Sequence, residues 1–146
     1  MELLNSKLQE GTATIGIIGL GYVGLPLAVE FAKKFRVIGF DVDKNVTSIL
    51  TEGRSHILDV PDIEIKNIIN KSFFPTNENE KLSECDFIII CVPTPLGRDK
   101  IPDLSYIINS CRTISSILRK DQFVILESTT YPGTTEEFLK PILEKS

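Results

Sequence analysis

Three glycines and one acid carry the most specific chemistry in this sequence. Gly19-Leu20-Gly21-Tyr22-Val23-Gly24 is a G-x-G-x-x-G, and Asp41 follows Gly19 by 22 residues. A dinucleotide diphosphate is doubly anionic, and the free N–H groups and positive end of a helix N-terminus suit it. In that setting Gly19 permits the tight turn, Gly21 lets the backbone approach the phosphates, and Gly24 lets helix and strand pack closely. Leu20, Tyr22 and Val23, between the glycines, complete the cofactor-binding turn. An acid about 20 residues on hydrogen-bonds the adenosine ribose. A glycine-rich turn in some other βαβ unit is the alternative. Asp41 also bears on cofactor choice. A carboxylate about 4 Å from one charge of a 2′-phosphate costs about 4 kcal/mol at an effective dielectric of about 20, roughly a thousandfold. Asp43 stands close by, and the cofactor expected is NAD rather than NADP.

These residues need a strand before the turn, a helix after it and a second strand ending at the acid. Ile15 to Ile18 is a short apolar run. Val23, Leu27, Ala28, Phe31, Ala32 and Phe35 recur at helical spacing, so a helix is expected from Tyr22 to Phe35. Arg36 to Phe40 reads as the second strand. Beyond it come a helix over Lys44 to Thr51, a loop over 53–62, a helix over Asp62 to Asn70 and a strand over Ser72 to Thr76. Asp86 to Val92 and Gln122 to Leu126 are nearly continuous apolar runs, with a helix over Asp103 to Leu118 between them. Strands apolar on both faces indicate a parallel sheet covered by helices on each side. Thr134-x-x-Glu137 reads as a capping box opening a last helix. Met1 to Thr12 is polar and reads as a frayed end. The fold expected is α/β, a Rossmann-type doubly wound parallel sheet of about five strands, truncated before a sixth. The chain is therefore read as the N-terminal piece of a longer protein.

Ligands of such sheets sit beyond the carboxyl ends of the strands. That rule nominates Thr94, in the rigid Val92-Pro93-Thr94-Pro95 loop, and Thr130, in Glu127-Ser128-Thr129-Thr130-Tyr131-Pro132-Gly133. Turn and capping chemistry is the alternative for these hydroxyls, and Glu127 fits either role. His56, the only histidine, falls in a loop and reads as solvated, with a substrate-side contact as the alternative and nothing local to make it a metal ligand. Cys85, Cys91 and Cys111 show no metal spacing and no even disulfide set, so they read as structural, although Cys91, near a strand's carboxyl end, has some claim to more.

Bulk properties set outer bounds. At 146 residues the chain has the length of one domain, and a net charge of −4 argues against nucleic acid as a partner. Gly11 to Val29 contains no charged residue, but its five glycines and Pro26 make it a strand and turn rather than a membrane span. No signal peptide is read at the start, so a cytoplasmic location is expected.

IGIIGLGYVGLPLAVEFA, CVPTPLGRDKIPDLSY and LESTTYPGTTEE resemble matching stretches of the UDP-glucose/GDP-mannose dehydrogenase family. The wording is most similar to the bacterial UDP-N-acetylglucosamine 6-dehydrogenases of surface polysaccharide synthesis. The resemblance covers nearly the whole chain. It implies oxidation of a UDP-N-acetylhexosamine C6 alcohol to a carboxylate with two NAD molecules. It implies cofactor contacts from Gly19 to Gly24, Asp41, Thr94 and Thr130. It implies a catalytic role for Thr130 in positioning a water beside the cofactor. The family often carries a basic residue five positions after the ribose acid; here that position is Val46, with Lys44 nearby. The family's nucleophilic cysteine, lysine and glutamate, its central helix and its UDP-binding domain would all lie beyond residue 146. Residues 1–146 would then be an N-terminal dinucleotide-binding domain that binds NAD weakly and does not turn over alone. The full-length enzyme would be a homo-oligomer. A non-catalytic NAD-sensing module and a different β-hydroxyacid-type dehydrogenase remain the rival readings.

Overall fold

The computed structural model describes residues 2–97 and 100–145. Arg98 and Asp99 of the second motif, with Met1 and Ser146, lie outside the described residues. Five parallel strands form one sheet in the order β3-β2-β1-β4-β5. They are β1 (Thr14–Ile18), β2 (Arg36–Phe40), β3 (Phe73–Thr76), β4 (Phe87–Ile90) and β5 (Phe123–Leu126). β1 is central, with Ile15 opposite Val37 on one side and Phe87 on the other. The helices are α1 (Glu2–Glu10), α2 (Gly24–Ala32), α3 (Lys44–Thr51), α4 (Asp62–Ile68), α5 (Ser105–Ile117) and α6 (Lys140–Leu143).

Strand alternation divides the core in two. Ile15, Ile17, Val37 and Ile89 point to one face, where Leu25, Ala28 and Val29 of α2 and Ile65 of α4 cover them. Ile18, Ile38, Phe40, Ile88 and Ile90 point to the other, under Ile107, Cys111 and Ile114 of α5. Helices on both faces of a parallel sheet explain the unbroken apolar runs of β1 and β4. The uncharged stretch 11–29 is indeed strand, turn and amphipathic helix. Among the described residues, no helix is long and apolar enough to cross a membrane.

Two segments differ from the expectation. Residues 2–10 are not frayed but helical. Leu4 is buried, and Lys7 of α1 reaches Asp86, just before β4, at 2.6 Å. A long-range ion pair holds this helix, and local sequence carries only the Leu4/Leu8 spacing as a hint. At the other end, Thr134 makes no cap. Its hydroxyl donates to Tyr131 O at 2.8 Å, and a π-helical turn, Thr135–Leu139, leads into α6. Smaller shifts occur at the helix starts. α2 begins only at Gly24, leaving Val23 56% exposed rather than on the buried face. α5 begins at Ser105, whose amide donates to Asp103 Oδ1 at 2.9 Å.

Asp86 anchors the amino ends of the strands. Its carboxylate accepts from Lys7, from the Thr14 amide at 3.0 Å and from Arg119 at 3.3 Å. Burial opposes its charge, but Lys7, the Thr14 amide and Arg119 outweigh it and hold the carboxyl below its ordinary value. Asp86→Ala should therefore lower the unfolding free energy at neutral pH by about 3 kcal/mol, measured by urea titration. Because the unfolded chain takes up this proton first, the stabilisation is complete above about pH 5. It fades as pH falls through the depressed folded value, so the deficit of the variant should shrink in acid. A pH-independent deficit, or none, contradicts the assignment.

Candidate functional site

The turn after β1 is shaped by close approaches that exclude side chains. Gly19 has φ +90°, and a Cβ there would lie 2.7 Å from Cys91 O, the first residue past β4. A Cβ on Gly24 would lie 1.8 Å from Gly19 O. The start of α2 thus lies directly on the end of β1. Gly21 is the opposite case, since a Cβ there would meet nothing within 4 Å. Its backbone faces open space. Among the described residues, the amides of Gly21, Tyr22 and Val23 have no protein acceptor. The side chain of Tyr22 is 74% exposed, so Tyr22 and Val23 offer the site their backbone N–H groups. Unpaired amides at a helix N-terminus form an anion site.

Asp41 closes the turn from the next strand. Its Oδ2 accepts from the Leu20 amide at 2.8 Å and its Oδ1 from the Asp43 amide at 2.9 Å. The Leu20 side chain is fully buried above Gly39, where a Cβ would come within 2.9 Å of it. Leu20 is therefore structural. Its amide is committed to Asp41, and the free donors begin at Gly21.

A cleft of about 690 Å³ opens here, within the range of small-molecule sites. Gly19, Gly21, Tyr22, Val23 and Asp41 line one side, and Val92, Pro93 and Thr94 line another. The proline loop is held by Asp103 N donating to Pro95 O at 2.8 Å, so Thr94 is fixed in place. Glu127, Ser128 and Thr129 line the far end, on a turn whose Glu127 and Ser128 amides donate to Ile90 O. Thr130 itself is not a lining residue. Its hydroxyl lies 2.7 Å from Thr134 Oγ1. The Thr134 proton already goes to Tyr131 O, so Thr130 must donate to Thr134 and keeps only acceptor capacity. Neither Lys44 nor Val46 lines the cleft.

Sequence reasoning missed the wall supplied by α5. Tyr106, Asn109, Ser110 and Thr113 face the cleft. Their i, i+3, i+4, i+7 spacing is a polar stripe at helical period, on a different face from the buried Ile107, Cys111 and Ile114. His56 lies in the expected loop, but it is not solvated. It is half-buried, with Nε2 2.8 Å from Leu20 O. Cys91 lies buried at the cleft floor. Burial, then the charge of Glu127, pushes its thiol up to about 11, so it is no thiolate nucleophile at neutral pH.

A doubly wound sheet with open amides and an acid at its switch point is a dinucleotide-binding domain. The family model for the NAD binding domain of the UDP-glucose/GDP-mannose dehydrogenase family matches residues 13–146. A UDP-N-acetyl-D-glucosamine 6-dehydrogenase of Pseudomonas aeruginosa is 44% identical over 90% of this chain and 31% of its own length. The enzyme of the same name from Salmonella typhi is 47% identical over 90% of this chain and 30% of its own. A crystal structure of GDP-mannose dehydrogenase from Pseudomonas aeruginosa superposes with TM-score 0.85 at 30% identity, covering 90% of this chain and 32% of that one. The chain belongs to the UDP-glucose/GDP-mannose dehydrogenase family and comprises its NAD-binding domain. It spans about 31% of the length of the first of these relatives.

The glycine geometry separates folding from binding. Gly24→Ala should lower stability by about 2–3 kcal/mol, because the added carbon overlaps a fixed carbonyl. Gly21→Ala should leave the thermal unfolding midpoint nearly unchanged yet weaken NAD at least about tenfold, because its methyl fills the space for the diphosphate. Calorimetry of both variants checks this. Equal NAD affinity in Gly21→Ala contradicts the placement.

Proposed function

We propose that this cleft holds NAD for a nucleotide-sugar 6-dehydrogenase that oxidises the C6 alcohol of a UDP-N-acetylhexosamine to the uronic acid. The observation that carries the reading is the open space over Gly21, ringed by unpaired amides and faced by the Asp41 carboxylate. When bound, NAD supplies the nicotinamide that accepts hydride. In this reading the amides of Gly21 to Val23 bind the diphosphate. Asp41, already oriented by Leu20 and Asp43, accepts from the adenosine ribose hydroxyls. Thr94 adds a polar contact across the cleft. Thr130, whose proton is committed to Thr134, accepts a hydrogen bond from the catalytic water and so orients it.

Residues 1–146 are, in the same proposal, the N-terminal cofactor domain of a longer enzyme. The relatives' greater length supports this. The second oxidation needs a nucleophile to hold the aldehyde, a task for a thiolate, and Cys91 is a buried neutral thiol. We assign that step to segments outside this chain, together with most of the UDP-sugar contacts. A cytoplasmic location, a homo-oligomeric full-length enzyme and the lack of a nucleic-acid partner complete the reading; the net charge of −4 agrees with the last.

Isothermal titration tests the cofactor assignment. NAD should bind more tightly than NADP by roughly a thousandfold. Asp41→Asn should narrow that ratio by weakening NAD and relieving NADP. Tighter binding of NADP to the unaltered chain refutes the reading. A second measurement follows NADH absorbance with UDP-N-acetylglucosamine. The chain alone should give no turnover, and sustained NADH production would overturn the division of labour.

A further inference from the structure

The glycine-rich turn has a second anchor outside the cleft. His56 lies between α3 and α4, and its Nε2 sits 2.8 Å from the carbonyl oxygen of Leu20. A carbonyl only accepts, so Nε2 carries the proton and donates. In the neutral ring this puts the lone pair on Nδ1, which is buried and has no partner among the described residues.

The segment presenting His56 is itself fixed. The Ser55 amide donates to Asp62 Oδ1 at 2.8 Å, and the Ile57 amide donates to Ser55 Oγ at 3.1 Å. Ile57 and Val60 are buried in the core that covers the α2 face of the sheet. His56 therefore works from a rigid platform.

What it grips sets the direction of its neighbour. The Leu20 C=O and the Gly21 N–H belong to one peptide plane, and that unit is trans. In a trans peptide the oxygen and the amide hydrogen point in opposite directions. Holding the Leu20 oxygen towards His56 turns the Gly21 N–H away from it. Gly21 lines the cleft, and its amide has no protein acceptor. The other side of Leu20 is held as well, by the hydrogen bond its amide donates to the Asp41 carboxylate and by its buried side chain.

We propose that His56 is a positioning residue for the cofactor diphosphate: it holds the Leu20 carbonyl and thereby aims the Gly21 N–H into the cleft. The proposal rests on the reading of the cleft as the NAD site. It assigns a binding role to a side chain that is not among the cleft-lining residues.

The test compares NAD binding to the full chain and to His56→Phe and His56→Gln by titration calorimetry. Phenylalanine keeps a ring but loses the donor. If the aimed peptide then falls to about a tenth of the population, NAD weakens about tenfold. Glutamine places an amide donor near the position of Nε2 and should restore affinity to within about threefold. Adenosine, which has no diphosphate, should bind His56→Phe as it binds the wild type. Unchanged NAD affinity in His56→Phe overturns the proposal, as does an equal loss for adenosine or a failure of glutamine to restore binding. A measurement on the wild type covers the case in which a variant does not fold. The long-range ¹H–¹⁵N spectrum of the imidazole should show the proton on Nε2, and a proton on Nδ1 alone would overturn the assignment. If the wild type itself binds no NAD, the cofactor reading fails, while the imidazole spectrum still tests the grip on Leu20.

Discussion

The hydrogen bond from the Leu20 amide to the Asp41 carboxylate, 2.8 Å long, ties the turn after β1 to the end of β2. A bond to a charged acceptor is worth about 1.5–3 kcal/mol, enough to dictate a local backbone conformation. Here it settles two things together. It commits the first amide of the turn to the protein, so that the free donors start at Gly21. It also orients the carboxylate, whose other oxygen is steadied by Asp43. The rest of the molecule makes that bond possible. Parallel pairing sets Ile18 opposite Phe40, which brings the two strand ends level. Gly39 leaves room for the Leu20 side chain beneath.

The sheet separates the task of standing up from the task of binding. At the amino ends of the strands lies the buried Asp86 cluster with α1 and Arg119, where charge is paired. At the carboxyl ends lie unpaired amides, a polar stripe from α5 and hydroxyls of the turn after β5. Polar groups left without protein partners would be a liability in a core, yet at a cleft they are what a charged cofactor requires. The chain is accordingly a binding device. Its one cysteine in the cleft is a neutral thiol, and the cleft hydroxyls of Ser110 and Ser128 donate to the Tyr106 and Ile90 carbonyls, which leaves them as acceptors.

Much of this was legible before any coordinates. The glycine spacing, Asp41 and the apolar runs of β1, β4 and β5 specify local geometry through steric exclusion and strand alternation, which sequence reports directly. What was not legible depends on partners distant along the chain. α1 reads as a polar tail because Lys7 finds Asp86 only in the fold. Thr134 reads as a cap because its bond to Thr130 requires the preceding turn to double back. His56 reads as solvated because nothing near it in sequence shows that Leu20 O is in reach. The polar stripe of α5 is present as spacing, but any solvated helix face has the same spacing, and only the fold sets this one against the cleft.

The central claim is that the backbone from Gly21 to Val23 receives a diphosphate while Asp41 receives the adenosine ribose. A crystal structure of this chain soaked with NAD tests it most directly. The expected result is diphosphate oxygens within hydrogen-bonding distance of the Gly21 to Val23 amides, and ribose hydroxyls on the Asp41 carboxylate. Density for the diphosphate elsewhere on the surface, or a ribose that leaves Asp41 untouched, would contradict it.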